Sequence, residues 1–314
     1  MKPIAAVCAV TVASTATAAG KLYTFTSDVK GFDTHSFYLD TGREVIVFDA
    51  QFTEELAKKL LAEIQAKTSS PIRYLVLTHP NPDKFNGAQV FRAAGAKVVA
   101  SKATAAAIAQ VHAYKRHFFV NVAQMFTPES YPPQAEVDLV FEGKLSLPLA
   151  AGKVELHQLR HSGVSSTQTV ASLPKERALL VGDLVHHQAH AWLEGGIENG
   201  QPTPNLEAWR KALEELRLFK GTTVYGGRGK AAPVEVAVRA QKDYLTRLER
   251  LVTRYVADLG PRRAELAGPK AAEHHKKLAL LAQEAFPEYA HPYLVEYGVY
   301  GLVNAIAARV HVAR

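Results

Sequence analysis

The sequence predicts an α/β protein with a helical C-terminal part, and three patterns in its 314 residues support this fold class. The first is an alternation of strands and helices that begins with strands at Phe37–Leu39 and Glu44–Phe48. The second is a later group of short apolar strands separated by turn residues. The third is a nearly continuous helical periodicity from Pro233 onward. Alternating strands and helices are typical of layered α/β proteins.

Local signals justify the elements of the N-terminal half. A helix is expected from Thr53, because two glutamates follow it in the first turn. The run Ile72–Thr78 is continuously apolar, the pattern of a strand buried on both faces. Two prolines in His79–Lys84 predict a segment without regular structure. A strand at Lys97–Ala100 and a helical, then loop-like stretch over Ser101–Asp138 follow.

The second half contains more strands and then helices. The expected strands are Leu145–Leu149, Val154–Leu159, Thr167–Leu173, Ala178–Val181 and Thr222–Tyr225. An amphipathic helix is expected over Asn205–Leu218, between the last two of these strands. A last apolar helix is expected from Tyr293 to about Val310.

The N-terminus has the pattern of a secretory signal peptide. Lys2 supplies a positive charge, Ile4–Ala13 is an apolar run, and Ala16–Thr17–Ala18 provides a small-residue cleavage site. The run is too short to span a bilayer, so no permanent membrane anchor is expected. We therefore predict a signal peptide over residues 1–19 and a periplasmic or secreted protein; a buried N-terminal strand or helix is the alternative. A main domain over residues 20–232 and a helical extension over 233–314 would follow.

Composition limits the chemistry that the exported chain can use. Its single cysteine, Cys8, lies inside the predicted signal, so disulfides, a catalytic thiolate and cysteine-bound metals are excluded after cleavage. Histidine, aspartate and glutamate remain as strong metal ligands. The net charge is +7, but lysines and arginines alternate with glutamates along predicted helices, so solvated helix faces are expected and no nucleic-acid partner.

Four turns that follow predicted strands carry the polar residues of interest. They are His79-Pro-Asn-Pro-Asp-Lys84, His161-Ser-Gly163, Gly182-Asp-Leu184 and Gly226-Gly-Arg-Gly229. Strand ends are where layered α/β folds gather their sites. The order and context of these turns resemble the metallo-β-lactamase superfamily from about Tyr23 to Gly229. The resemblance implies a four-layer αββα sandwich with a C-terminal helical extension, and a hydrolase that uses up to two metal ions.

The match to the superfamily's metal motifs is partial. In its motif His-x-His-x-Asp-His, His79 and Asp83 match, whereas Asn81 and Lys84 depart from the pattern. His161 matches the third histidine of the first metal and Asp183 the aspartate that bridges both metals. The last ligand, a histidine, is replaced by Arg228. Lys84 and Arg228 together carry the charge of a divalent ion, so we hypothesise that an ion-pair cluster replaces the second metal.

The first metal site is left open by the sequence. His79, His161 and Asp183 form a set that suits one zinc, iron or manganese ion, yet a metal-free site is an equal alternative. With a metal, Asp83 would be the general base, and Lys84 and Arg228 would stabilise an oxyanion or hold an anionic substrate.

Three further residues are candidate substrate contacts. They are His35 before a strand, Asn81 in the first motif and His187 after Asp183; an ordinary loop or surface role is the alternative for His35 and His187. His186 or His190, near the same turn, would be a replacement ligand or a pocket residue. Two functions follow: a hydrolase with at most one metal acting on an ester, lactone or amide, or a non-catalytic protein that holds a small anionic ligand through Lys84 and Arg228. The sequence does not indicate an oligomeric state.

Overall fold

The structure is a computed structural model that describes residues 19–150 and 152–312. Residues 1–18 of the predicted signal peptide, with Cys8, lie outside the described residues. Within the described part of the chain, no helix is both long and apolar enough to cross a membrane.

The strands form two large sheets and two small ribbons. In chain order they are β1 (Lys21–Thr26), β2 (His35–Asp40), β3 (Val45–Phe48), β4 (Ile72–Val76), β5 (Lys97–Ser101), β6 (Leu139–Phe141), β7 (Lys144–Leu149), β8 (Gly152–Gln158), β9 (Thr169–Leu173), β10 (Ala178–Leu180), β11 (His186–His187), β12 (Gly196–Glu198), β13 (Gln201–Thr203), β14 (Thr223–Tyr225), β15 (Arg228–Gly229) and β16 (Ala232–Pro233). The first sheet has the order β1-β2-β3-β4-β5-β6, and the second β16-β14-β10-β9-β8-β7. The ribbons are β11 with β15 and β12 with β13.

The helices lie on the outer faces of the two sheets. They are α1 (Glu54–Lys67), α2 (Pro82–Phe85), α3 (Ala88–Ala93), α4 (Lys102–His117), α5 (Leu206–Glu215), α6 (Val234–Asp258), α7 (Ala271–Ala285), α8 (Tyr293–Gly298) and α9 (Tyr300–Val312). Helix α1 begins where the sequence predicts, because the Thr53 side chain accepts a hydrogen bond from the amide of Leu56 at 3.1 Å.

Three apolar cores separate the layers. One core lies between the sheets and includes Phe48 of β3 and Leu156 of β8. A second packs α1, α3 and α4 on the outer face of the first sheet, and a third packs α5 through α9 on the second. Each buried large apolar side chain contributes about 1.5–3 kcal/mol to stability. The predicted four-layer αββα sandwich with a C-terminal helical region is thereby confirmed.

Two predicted segments differ from the structure. The prolines of His79–Lys84 do not exclude regular structure, because α2 begins at Pro82, where a missing amide hydrogen costs no intrahelical bond. The last helix is not continuous from Tyr293 to Val310 but is divided into α8 and α9 at Val299. Glycines flank this break and pack closely: a Cβ on Gly298 would lie 2.9 Å from the Trp192 ring, and one on Gly301 2.2 Å from the Glu194 carbonyl oxygen.

Candidate functional site

Polar side chains from both sheets meet at the edge where parallel strands end. His79 follows β4, and Asp83 and Lys84 lie in α2 just beyond it. Asp183 follows β10, and Arg228 starts β15, three residues after the end of β14. Because β10 and β14 are parallel, their ends lie side by side and deliver Asp183 and Arg228 to one place. The structure thus brings together five residues that the sequence singles out.

Four of these residues form a closed set of ion pairs, here called the ion-pair cluster: Asp83, Lys84, Asp183 and Arg228. Lys84 Nζ lies 2.8 Å from Asp83 Oδ2 and 2.8 Å from Asp183 Oδ1. Arg228 Nη1 lies 2.7 Å from Asp183 Oδ2, and Arg228 Nη2 lies 3.0 Å from Asp83 Oδ2. Each cation therefore bridges both carboxylates, and the formal charges of the cluster sum to zero.

The four members of the ion-pair cluster are buried, so their charged states depend on this pairing. Lys84 is fully buried, and the other three members are nearly so. Burial alone would raise the pKa of Asp183, yet Arg228 and Lys84 hold that pKa well below its usual range. Burial likewise opposes the charge of Lys84, whereas Asp183 and Asp83 raise the pKa of its ammonium group. All four groups are therefore charged at neutral pH.

Two glycines make room for the cluster. A Cβ on Gly227 would lie 1.9 Å from Asp183 Oδ1 and 3.0 Å from Lys84 Nζ, so any larger residue would displace the carboxylate. Gly182 has φ +50°, and its Cβ would lie 2.3 Å from the hydroxyl oxygen of Thr78. The glycines of the two turns are thus needed for close approach of the backbone.

Arg228 also fixes the loop before β2. Its Nε donates to the carbonyl oxygen of Phe32 at 2.6 Å, and its Nη2 donates to the hydroxyl oxygen of Thr34 at 2.7 Å. The Thr34 hydroxyl in turn donates to Asp83 Oδ2 at 3.0 Å. Arg228 therefore joins the loop, α2 and the turn after β10.

His79 is oriented from behind by a short chain of hydrogen bonds. The Thr78 hydroxyl donates to Asp49, whose oxygens lie 2.9 and 3.0 Å away, and Thr78 Oγ1 lies 3.0 Å from His79 Nδ1. Because that hydroxyl hydrogen is committed to Asp49, Nδ1 of His79 is the donor to Thr78. Its Nε2 is buried without a hydrogen-bond partner, 3.7 Å from Asp183 Oδ2.

His186 also lies close to Asp183. Its Nε2 is 3.9 Å from Asp183 Oδ1, and neither ring nitrogen has a hydrogen-bond partner. Burial lowers the pKa of this imidazole to about 3, so it is neutral. From the sequence, His186 is one candidate for a replacement ligand, and its spacing of three residues from Asp183 is the signal that places it near the site.

His161 is held by a different partner. Its Nδ1 lies 2.8 Å from Glu215 Oε1 at the end of α5, and its backbone amide donates to the same oxygen at 3.0 Å. The side chain is 40% exposed, in contrast to the buried His79. His161 thus keeps its Nδ1 engaged, as His79 does, but its contacts are with Glu215 and not with the ion-pair cluster.

The three predicted substrate contacts lie in different surroundings. The backbone amide of His35 donates to Gly227 at 2.8 Å, and burial, followed by the charges of Arg228 and Lys84, lowers the pKa of its imidazole to about 4. Asn81 lines a cavity beside the cluster. His187 is half-buried in β11, and burial, then Lys230, lowers its pKa.

That cavity has about 30 Å³ of free space, enough for one or two water molecules. Asp83, Asp183 and Arg228 line one side of it. The rest of the lining consists of Asn81, Pro82, Lys115 and four aromatic residues: Phe32, Phe52, Phe119 and Trp192.

Lys115 is a site residue that the sequence reasoning missed. It is buried and paired with the buried carboxylate of Glu194, which also accepts a hydrogen bond from the Trp192 indole at 2.9 Å. Its position contained a signal: it extends the buried stripe of α4 that includes Ile108 and Val111. A lysine on an apolar stripe predicts a buried ion pair.

The residues do not fit the two-metal group that the resemblance implies. Both oxygens of Asp183 already accept from cations, and His161 is held by Glu215. Across residues 19–150 and 152–312, no group of three or more histidine, cysteine, aspartate or glutamate side chains is arranged to hold a metal ion. The choice between one metal ion and none stays a prediction.

Comparison with known proteins assigns the family. The sequence model of the metallo-beta-lactamase superfamily matches residues 29–228. No curated protein matches the chain. Among solved structures, a metallo-beta-lactamase from Pontibacter korlensis is 19% identical with a TM-score of 0.54, and covers 73% of this chain and 95% of its own.

Two further structures agree in fold. DIM-1 metallo-beta-lactamase exposed to ceftazidime is 18% identical (TM-score 0.51; 72% of this chain and 92% of its own). FIM-1 from Pseudomonas aeruginosa in the mono-zinc form is 16% identical (TM-score 0.51; 71% and 90%). The family match covers well over half of the chain, and the chain therefore belongs to the metallo-beta-lactamase superfamily, whose fold supports a hydrolase-like function.

Proposed function

We propose that this chain is an exported, metal-independent member of the superfamily that binds a small uncharged ligand in the cavity beside the ion-pair cluster. One observation carries the proposal: Lys84 and Arg228 occupy the two oxygens of Asp183, the residue that matches the bridging ligand of both metals. Export to the periplasm or beyond is proposed from the residues of the predicted signal peptide.

The cluster opposes a second metal on grounds of charge. A divalent ion at Asp83 and Asp183 would have to displace two buried cations or add two charges to a neutral set. Removing one partner from a buried ion pair costs about 3–5 kcal/mol, because the other charge is left without compensation. Arg228 would also lose its hydrogen bonds to Phe32 and Thr34. A metal ion would therefore bind only if its own interactions outweighed the loss of these ion pairs and hydrogen bonds.

The zero net charge of the ion-pair cluster also limits the charge of the ligand that can bind beside it. An anion held by Lys84 and Arg228 would compete with carboxylates that already accept from both cations at 2.7–3.0 Å. An uncharged ligand avoids this competition. Asn81, half-buried at the cavity wall, offers it an amide donor and acceptor, and the aromatic walls offer apolar contact.

A second candidate is a hydrolase with at most one metal ion, acting on an ester, lactone or amide bond. The observation that favours it is the orientation of two histidines. His79 and His161 are each held through Nδ1, with Nε2 left for another partner. An engaged second nitrogen is the usual arrangement around a metal-binding histidine. The third ligand is what the site lacks, because Asn81 stands where the family has histidine and Asp183 is taken.

Restoring the family ligands distinguishes the two candidates. We expect the parent chain to be inactive on a panel of ester, lactone and amide substrates, with or without added zinc chloride. The triple variant Asn81→His, Lys84→His, Arg228→His should take up zinc and gain hydrolysis that a chelator removes. A parent chain that already hydrolyses a substrate and loses that activity in His79→Ala or His161→Ala would overturn the binding proposal.

A further inference from the structure

One aromatic side chain of the protein, Phe32, forms part of the wall of the cavity beside the cluster. The buried Phe32 ring lies 5.0 Å from Phe52, 5.6 Å from Trp192 and 6.0 Å from Phe119, measured between ring centroids. The Phe52 and Trp192 rings meet it edge to face. The space that remains, about 30 Å³, is small beside the roughly 150 Å³ of a cavity that binds benzene.

The backbone that carries Phe32 is strained. Phe32 and Asp33 have φ values of 59° and 50°, so two consecutive residues other than glycine adopt the left-handed conformation. Each such residue costs of order 1 kcal/mol or more, and persists only where its surroundings hold it. The loop therefore stores free energy that would be released if the Phe32 segment moved to an ordinary conformation.

Arg228 holds this loop at the Phe32 carbonyl and the Thr34 hydroxyl, and the C-terminal extension holds it at Asp33. The Tyr293 hydroxyl donates to Asp33 Oδ2 at 2.5 Å, and His291 Nδ1 lies 3.1 Å from the same oxygen. Both residues come from the segment around the start of α8, some 260 positions along the chain. His291 itself has φ 60°. We call Asp33, His291 and Tyr293 the latch.

We propose that Phe32 is an internal plug held by the latch, and that the ligand of this site carries a planar, uncharged aromatic group that takes the place of the Phe32 ring. This inference rests on the proposed binding function. The walls that remain when Phe32 leaves are Phe52, Phe119 and Trp192, of which Phe52 and Trp192 already receive an aromatic ring edge to face. Arg228 and Lys115 add no net charge to the cavity, because each is paired with a carboxylate.

Binding then depends on the fraction of molecules in which the plug is out. The apparent dissociation constant of a ligand rises as that fraction falls, so a weaker latch should strengthen binding without any new contact. The Tyr293 hydroxyl donates its hydrogen bond to a carboxylate, and hydrogen bonds to an ionised acceptor are stronger than those between two neutral groups. Its loss in Tyr293→Phe should lower the dissociation constant about tenfold.

Benzamide is the probe, because it joins a phenyl ring to an amide that Asn81 can meet. Its affinity is measured by calorimetry and by the fluorescence of Trp192, with Trp192→Phe to assign the signal, since the chain has two tryptophans. Cyclohexanecarboxamide tests the need for an aromatic ring, and benzoate the need for neutrality. Tyr297→Phe, on the same helix, is the matched control for Tyr293→Phe.

We expect benzamide to bind Tyr293→Phe about tenfold more tightly than the parent or Tyr297→Phe, and both comparison ligands to bind more weakly. Hydrogen exchange of residues 28–34 without ligand should be faster in Tyr293→Phe. Equal benzamide affinity in all three proteins, or no benzamide binding by any of them, would overturn the inference. A metal ion found in the purified protein would contradict the proposed function. The ratio of the benzamide dissociation constants of Tyr293→Phe and the parent would still test whether the latch holds Phe32 in place.

Discussion

The two halves of the superfamily's metal centre are in different states in this protein. Where the second metal is expected, Lys84 and Arg228 supply two positive charges to two carboxylates, and every pairing distance is 3.0 Å or less. Where the first metal is expected, His79 and His161 keep their orienting hydrogen bonds, but no cation or third ligand completes them. The positive charge of a metal ion can be supplied by lysine and arginine side chains. The directional lone pair of a histidine ligand cannot be replaced in this way.

We therefore expect the second half to contribute more to the free energy of unfolding than the first half. The second half consists of buried charges that depend on each other, and the first consists of two imidazoles with one engaged nitrogen each. Breaking the second half should therefore destabilise the fold, and altering the first half should change mainly its dependence on pH.

The largest expected effect comes from Arg228→Met. The variant would leave Asp83 and Asp183 with one cation between them and would release the Phe32 carbonyl and the Thr34 hydroxyl. We expect the free energy of unfolding to fall by about 3–5 kcal/mol, measured by urea denaturation at pH 7. Arg217→Met removes an arginine from a half-exposed pair with Glu214 and serves as the control, with a much smaller change. Equal losses in the two variants would contradict the role given to the cluster.

A smaller effect is expected from Asp49→Asn in the first half. Burial raises the pKa of the Asp49 carboxyl to about 6, above its ordinary value of 3.8. The folded protein thus binds a proton between pH 6 and pH 4 that the unfolded chain does not yet bind, so this group makes folding more favourable as pH falls through that window. The gain is at most about 3 kcal/mol per molecule, from 1.36 kcal/mol per pKa unit.

The measurement is the free energy of unfolding of parent and Asp49→Asn at pH 7 and pH 4.5. The parent should gain stability relative to the variant on acidification, whereas Asp40→Asn, at the half-buried end of β2, should follow the parent. Below about pH 4 both chains lose stability, because the pairing in the cluster is lost as Asp83 and Asp183, whose pKa values are lowered, become protonated. Parallel curves for parent and Asp49→Asn would show that the orienting carboxylate stays charged.

Much of this architecture could be read from the sequence, and the reasons are physical. Strand periodicity and the order of the four turns specify which residues lie at strand ends, so Asp83, Lys84, Asp183 and Arg228 were predicted to pair and do so. The sequence shows which side chains carry a charge, and a buried carboxylate requires a partner of opposite charge.

Other features depend on contacts that no local pattern encodes. The left-handed conformation of Phe32 and Asp33 is accompanied by contacts with Arg228 and with Tyr293, both far away along the chain, and a phenylalanine gives no local signal for it. Glu194 becomes a buried partner of Lys115 only through the packing of a loop on α4. The partner of His161 is likewise set by where α5 ends. The sequence could therefore predict which charges meet, but not what encloses them.

The central claim is that two side-chain cations stand in the place of the second metal ion, and elemental analysis of the purified protein tests it most directly. After purification without chelators and dialysis against metal-free buffer, the account predicts no retained divalent metal, and the same melting temperature with added zinc chloride as with a chelator. Two equivalents of metal per chain, held through dialysis, would contradict it.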